Sequence, residues 1–310
     1  MTASSKSPRV DVYTRVTDRI VAQLEQGVRP WTKPWNAEHV AGRITRPLRC
    51  NGEAYKGINV LMLWDSADSQ GFSCPIWMTF QQAKQLGGFV RKGEHGSPVV
   101  YASSFKKTDT NEAGEEVDQE IPFLKEYTVF NVEQVEGLPD RFYQTHQPPN
   151  TTIERIAHAD QFFRNTQAEI QEGGNQAFYS ISKDFIRMPK LETFRDAESH
   201  AATLAHELTH WTRHGSRLDR DLGRKRFGDA GYAMEELVAE LGSAFLCADL
   251  SLTPEDRDDH AAYIESWLKV LKEDKRAVFS AASHASKAVE FLHSLQPNAT
   301  QPKAEELATA

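Results

Sequence analysis

AESHAATLAHELTHWTRH, residues 197–214, is the stretch on which the fold turns. At helical spacing Ala197, Ala201, Leu204, Ala205 and Leu208 form one apolar face, the pattern of a helix packed into a core. Within it, His206-Glu207-Leu208-Thr209-His210 fits H-E-x-x-H. His206 and His210 stand one turn apart, so their imidazoles can share one metal ion. Glu207 projects beside them, where a carboxylate can take a proton from water at the metal and pass it to a leaving amine. His206 and His210 are thus the candidate ligands and Glu207 the candidate catalytic residue.

A catalytic zinc keeps three protein ligands and one open position, so a third ligand is needed. Working downstream, Glu235-Glu236-Leu237-Val238-Ala239-Glu240 opens a second helix that runs into an apolar stretch, residues 241–246. Glu236 and Glu240 are one turn apart, and Leu237, Leu241 and Phe245 flank them, which buries the helix with its acids pointing inward. Buried carboxylates need a metal or a hydrogen-bonded partner. Glu236 is assigned as the third ligand and Glu240 as the acceptor that orients a histidine ring N–H, with the reverse assignment as the alternative. Glu235 fits a solvated acidic face. His214 continues the row of histidines, but a straight helix curves away from a single ion, so it is expected as a helix-end residue, and His200 as structural. The expected ion is Zn2+, with Mn2+ or another divalent ion as the alternative. Upstream, residues 178–186 resemble the edge strand beside a peptidase cleft, to which a peptide can add as an extra strand. Tyr232 is a candidate for assisting an oxyanion.

The 310 residues suggest about two domains. The formal charge of −8 is unevenly distributed: residues 1–107 hold 15 Lys and Arg against 8 Asp and Glu, whereas the remainder holds 21 against 36. The whole-chain sum therefore does not exclude nucleic acid as a partner of the first half. No stretch is apolar enough for a membrane span, and three scattered cysteines point to a reducing, cytoplasmic setting. The first half interleaves cations with aromatic rings: Arg29, Trp31, Lys33, Trp35, Arg43, Arg46, Arg49, Lys56, Arg91 and Lys92 are the candidate contacts to single-stranded DNA. Stacking faces for bases and cations along phosphates are what strand binding without sequence readout requires. Trp64 and Trp77, set in apolar runs, are expected in the core.

An acidic stretch, residues 109–120, reads as a solvated loop or hairpin tip, and QTHQPPNTT at 144–152 as a linker. The expected organisation is an α+β chain: a mixed α/β single-strand-binding domain over residues 1–145, a linker at 146–152, a mainly helical metal domain with a small sheet at 153–296, and a tail at 297–310. Helices are expected at 153–166, 197–213, 233–248, 260–271 and 277–295, with a strand at 177–186.

Several longer strings point to a family. RPWTKPW (29–35), YKGINVLML (55–63), IWMTFQQAKQLGGFVRKGEHG (76–96) and FNVEQVEGLP (130–139) in the first half resemble the ArdC family of plasmid antirestriction proteins, as do HELTHWTRH (206–214) and FGDAGYAMEELVAELGSAFLC (227–247) in the second. The resemblance spans residues from about 10 to 295. It implies a single-stranded-DNA-binding domain joined to a zincin-like metallopeptidase domain, and a role in conjugation that protects incoming DNA from host restriction. It also implies His206 and His210 as ligands, Glu207 as acid and base, and a protein substrate, with a host restriction component as the candidate. Arg213 stands where glycine is frequent in that family. The competing reading is a non-catalytic protein that coats single strands and whose metal site is structural. A metal-dependent nuclease fits less well, because two histidines and one glutamate suit one zinc better than a two-metal phosphate site.

Overall fold

A computed structural model describes residues 11–31, 45–110, 116–143, 152–223, 229–253 and 260–297. The chain is α+β and divides into two compact units, Pro47–His146 and the remainder, Met1–Arg46 with Gln147–Ala310. The later boundary lies between His146 and Gln147. The first 46 residues, however, join the unit that carries the His206 helix, so the division departs from the expected 1–145 domain.

Helix α1 (Val12–Glu25) shows why. Asp11 caps it, accepting the N–H groups of Tyr13 and Thr14 at 2.9 and 3.2 Å. Its apolar stripe of Val16, Ile20, Val21 and Leu24 is buried. The Thr17 hydroxyl donates to the Lys275 carbonyl at 2.7 Å, Asp18 pairs with Lys275, and Tyr13 packs on Phe279 at 4.6 Å. An amphipathic helix goes where its stripe finds a partner, and here that partner is the C-terminal helices.

The Pro47–His146 unit contains β1 (Leu48–Arg49), α2 (Ile58–Gln70), β2 (Ile76–Met78), α3 (Phe80–Gln85), β3 (Phe89–Val90), β4 (Ser97–Thr110), β5 (Glu116–Asn131) and β6 (Val135–Glu136). Its main sheet has the order β1-β2-β5-β4, and β3 pairs with β6. The acidic stretch falls at the end of a hairpin, as expected: β4 and β5 pair without a break from Ser97↔Val129 to Thr110↔Glu116, and residues 111–115 lie outside the described residues. Trp64 and Trp77 are fully buried, as expected. Residues 60–64, legible only as an apolar run, lie in the middle of α2, which is buried on nearly every side and so shows no 3.6-residue period.

The other unit continues with α4 (Thr152–Asn165), β7 (Glu169–Glu172), β8 (Phe178–Ser180), β9 (Phe185–Met188), α5 (Ala197–Trp211), α6 (Ala230–Leu250), α7 (His260–Glu273) and α8 (Ala277–Ser294). The three strands have the order β7-β9-β8, with β9 parallel to β7 and antiparallel to β8. The single strand expected over 177–186 is therefore a tight hairpin, turned with Asp184 at φ 51°. Its first arm, β8, is one edge of the sheet. α6 is the centre of the unit: Leu237, Leu241, Phe245 and Leu246 are almost wholly buried, and truncating Phe245 to alanine would cost about 3–5 kcal/mol. α8 faces it with a row of buried alanines, Ala281, Ala285 and Ala288, that permits close helix packing. Among the described residues, no helix is long and apolar enough to cross a membrane.

Candidate metal centre

α5 begins at Asp196, whose carboxylate accepts the Ser199 N–H at 2.7 Å, and is buried on most of its circumference. α6 begins at Asp229, which caps Tyr232 at 2.8 Å. The two helices cross closely at Gly242, where an added Cβ would lie 2.5 Å from Thr209 Cγ2, so the crossing needs glycine. Ser243 Oγ donates to the Ala202 carbonyl across the same contact at 3.0 Å. This close approach brings the glutamates of α6 against the histidines of α5.

The structure brings His206, His210 and Glu236 together, each offering one ligand atom, all within 4.8 Å of one another. Glu236 Oε2 lies 3.6 Å from His206 Nε2, and Glu236 Oε1 lies 3.7 Å from His210 Nε2. All three side chains are nearly buried. Two imidazoles and a carboxylate converging through the same edge suit a divalent ion such as zinc or manganese. Burial alone would lower the His210 pKa, but the Glu236 and Glu235 carboxylates outweigh it and raise the ring to about 10. Burial would likewise raise Glu236, yet the two histidines hold it far below the usual carboxylate range.

Behind the cluster a second layer of carboxylates faces the other ring nitrogens. Glu240, expected to orient a histidine ring N–H, has its Oε2 3.8 Å from His206 Nδ1. Glu235 corrects its expected place on a solvated face: it is 1% exposed, and its Oε1 lies 3.1 Å from His210 Nδ1. Buried Arg220 grips both Glu235 oxygens, at 2.7 and 2.9 Å, and also donates to the Thr209 carbonyl and the Thr212 hydroxyl. Burial would raise Glu235, but Arg220 and His210 hold it at about 2. Arg220 carries no sequence signal, because a lone arginine in a polar loop reads as solvated until the loop folds back onto the helix.

Glu207, 3% exposed, lies with the ligands in the wall of a cavity of about 200 Å³. Ala177, Phe178 and Tyr179 at the β8 edge, Ile181 in the turn after it, Arg213, and the pair Tyr232 and Tyr263 complete the lining. The two tyrosine hydroxyls are 3.1 Å apart, and burial keeps the Tyr232 hydroxyl protonated far into the alkaline range. The β8–β9 turn is tied to the end of α5 by Arg217, which donates to the Asp184 carboxylate and to the Tyr179 hydroxyl and stacks over Trp211 at 3.9 Å. His214 ends in a local contact with Ser216 and His200 packs edge-on against Phe194; neither reaches the cluster.

The expected DNA contacts scatter. Trp31 is fully buried, stacks edge-on against Trp267 at 5.9 Å and donates its indole N–H to Glu240 at 3.3 Å. Arg29, also buried, pairs with the same Glu240 oxygen at 2.8 Å. Arg46 forms a two-pronged pair with Asp249, both bonds 3.0 Å, and lies over Phe245. These three side chains present no face to a nucleic acid; they are structural members of the metal-bearing unit, because α6 offers carboxylates that only a buried cation can compensate. Lys33, Trp35 and Arg43 lie outside the described residues. In the other unit Arg49, Lys56, Arg91 and Lys92 are exposed, Arg91 pairing with Glu94 at 2.7 Å. The exposed rings near them in sequence are Phe80 and Phe89, 56% and 57% accessible, rather than the tryptophans.

An H-E-x-x-H helix crossed by a glutamate-bearing helix, beside a small sheet with a free edge, defines a zincin-like metallopeptidase domain. Residues 157–284 match the family model for a zincin-like metallopeptidase, and residues 10–130 match the N-terminal domain of anti-restriction factor ArdC. The chain belongs to the ArdC family of antirestriction proteins. The ArdC protein of plasmid R388, solved metal-free, is 46% identical, covers 92% of this chain over 97% of its own length and superposes with a TM-score of 0.76. Its Mn(II)-bound form is 44% identical with a TM-score of 0.74, covering 94% of this chain and 100% of its own. The uncharacterized protein y4eC of Sinorhizobium fredii is 42% identical over 93% of this chain and 94% of its own. The DNA primase TraC of Escherichia coli is 39% identical over 90% of this chain, which spans only 27% of that longer protein.

Proposed function

We propose that this antirestriction protein is a metal-dependent peptidase joined to a single-stranded-DNA-binding unit, and that it protects incoming plasmid DNA by cutting a protein on or near that DNA. The observation that carries the reading is the convergence of His206, His210 and Glu236 in the wall that also holds Glu207, below a free strand edge. Zn2+ is the proposed ion from the donor set, with Mn2+, the ion bound by the R388 relative, as the alternative. When bound, such an ion supplies Lewis acidity, polarising a carbonyl and acidifying water.

This chain's own residues do the rest. A peptide lies along β8 as an added strand, main chain to main chain, which places a carbonyl over the histidine row. Glu207 takes a proton from the attacking water and hands it to the leaving amine. Glu235 accepts from the Nδ1 side of His210 and Glu240 faces Nδ1 of His206, which leaves both Nε2 lone pairs turned toward Glu236. Tyr232, kept protonated by burial, donates a hydrogen bond to the developing oxyanion. On the other unit, Phe80 and Phe89 offer stacking faces, and Arg49, Lys56, Arg91 and Lys92 offer cations for phosphates.

Glu207→Gln tests the peptidase half. It should bind the ion as the native protein does and lose protection against restriction along with proteolysis. Full protection by this variant would instead establish the coating reading. Polynucleotide affinity measured across salt tests the other half, and binding that is absent or insensitive to salt would overturn it. Phe89→Ala should weaken that affinity several-fold.

A further inference from the structure

Among the described residues, Arg213 is the one lysine or arginine in the lining of the cavity beside the metal cluster. It follows His210 by three residues at the end of α5, its N–H donating to the His210 carbonyl at 3.0 Å, so its side chain leaves the helix on the histidine side about one turn further on. Its Nε is buried and makes no hydrogen bond, and no carboxylate among the described residues pairs with its guanidinium. The neighbouring arginines all have partners: Arg217 holds Asp184, and Arg220 holds Glu235. A desolvated, unpaired donor is costly unless something arrives to satisfy it. The other ionisable groups of the cavity are the two histidines, the carboxylates Glu207 and Glu236, and the hydroxyls of Tyr179, Tyr232 and Tyr263. A divalent ion at the cluster compensates both carboxylates and leaves the Arg213 charge as the cavity's unmatched one.

We infer that Arg213 is a specificity-determining residue that takes an anionic group of a peptide substrate, an acidic side chain or a free C-terminal carboxylate, on the order of one or two residues from the cleaved bond. The inference rests on the peptidase reading above. A planar guanidinium fits a carboxylate with two parallel hydrogen bonds. Beside it, Phe178 on β8 and Ile181 in the turn after it are 44% and 48% exposed, apolar surfaces lining the same cavity. The favoured segment therefore alternates apolar side chains with one negative charge.

Short peptide hydroxamates, which bind at zinc and are not cleaved, serve as probes on the full-length Zn2+-loaded protein, with dissociation constants read by calorimetry. Two series place the peptide on either side of the hydroxamate, each with an amidated Glu and an amidated Gln member; one further Gln probe carries a free C-terminal carboxylate. At least one carboxylate-bearing probe should bind about tenfold or more tighter than its amidated Gln counterpart, and which one does so identifies the source of the charge. Arg213→Ala should remove the preference while zinc content and melting temperature stay unchanged, and Arg213→Lys should keep part of it. Equal binding of all probes to the native protein overturns the role of Arg213 and leaves the peptidase reading standing; no binding by any probe to protein with bound zinc overturns both. Displacement of the probes by a twenty-residue oligodeoxythymidine, lost in Arg213→Ala, would overturn the inference in favour of a phosphate ligand.

Discussion

His206 and His210 stand one turn apart on the same helix, yet their outer nitrogens are held in different ways. His210 leans on Glu235 at 3.1 Å, and Glu235 is gripped by Arg220, 15 residues away in the chain. His206 faces Glu240 at 3.8 Å, and Glu240 is gripped by Arg29 and Trp31, more than 200 residues away. The first support is assembled by the loop between α5 and α6. The second exists only once the N-terminal segment has packed against α6 and α7. One ligand of the candidate centre is thus a local product of its own helix pair, whereas the other depends on a segment from the far end of the chain, in the region matched by the ArdC N-terminal family model.

Substitutions can separate the two supports. Glu235→Ala should have the largest effect, because it strands Arg220, which is buried and pairs with no other carboxylate among the described residues: about 3–5 kcal/mol of unfolding free energy, read by denaturant titration, and a 10–100-fold loss of metal affinity. Equal stability of the native and substituted proteins would remove Arg220–Glu235 as the anchor. Glu240→Gln should weaken metal binding less, by under about tenfold, since its contact to His206 is longer than a hydrogen bond. A loss as large as that of Glu235→Ala would show that the ion draws Glu240 inward. Trp31→Phe keeps the ring packed on Trp267 and removes only the N–H to Glu240; about 1 kcal/mol of stability should go, with DNA affinity unchanged. If DNA binding falls instead, the buried placement of Trp31 is not the one that matters for function.

The smallest expected effect is in the pH dependence of the metal-free protein. Glu235 is depressed from 4.5 to about 2, so its contribution is present above pH 4.5 and lost as pH falls through 2. His210 is raised from 6.5 to about 10, so its contribution is complete below pH 6.5 and lost as pH rises through 10. Together they favour a stability plateau between pH 4.5 and 6.5 and a decline on the alkaline side, which thermal melts across pH would register. Metal binding at neutral pH should release the His210 proton, and calorimetry in buffers of different ionisation enthalpy measures it.

The same contrast explains what was legible. His206, Glu207 and His210 could be placed from spacing alone, and Glu236 with Glu240 as its alternative, because a helix converts three- and four-residue intervals into a shared face. Glu235, beside Glu236 in the chain, could not: whether an acid on the flank of a helix meets water or a cation is decided by what folds over it, and Arg220 does so from a loop with no pattern. RPW (29–31) suggested an open basic-aromatic surface for the same reason, since proline, arginine and tryptophan in a short segment look alike whether solvated or packed. The hairpin at 178–188 was hidden because nothing in its alternation marks Asp184 as a left-handed turn.

Local intervals and composition determined the two-part α+β organisation, the ligand row and its neighbouring acid, and the opposite charges of the two halves. Only the tertiary structure decided which unit the N-terminal segment joins, which carboxylate steadies which histidine, and which cavity arginine has no carboxylate partner among the described residues. Covalent spacing sets what a helix can present on one side. Burial and charge compensation depend on segments distant in sequence, and they become determinate only when those segments meet.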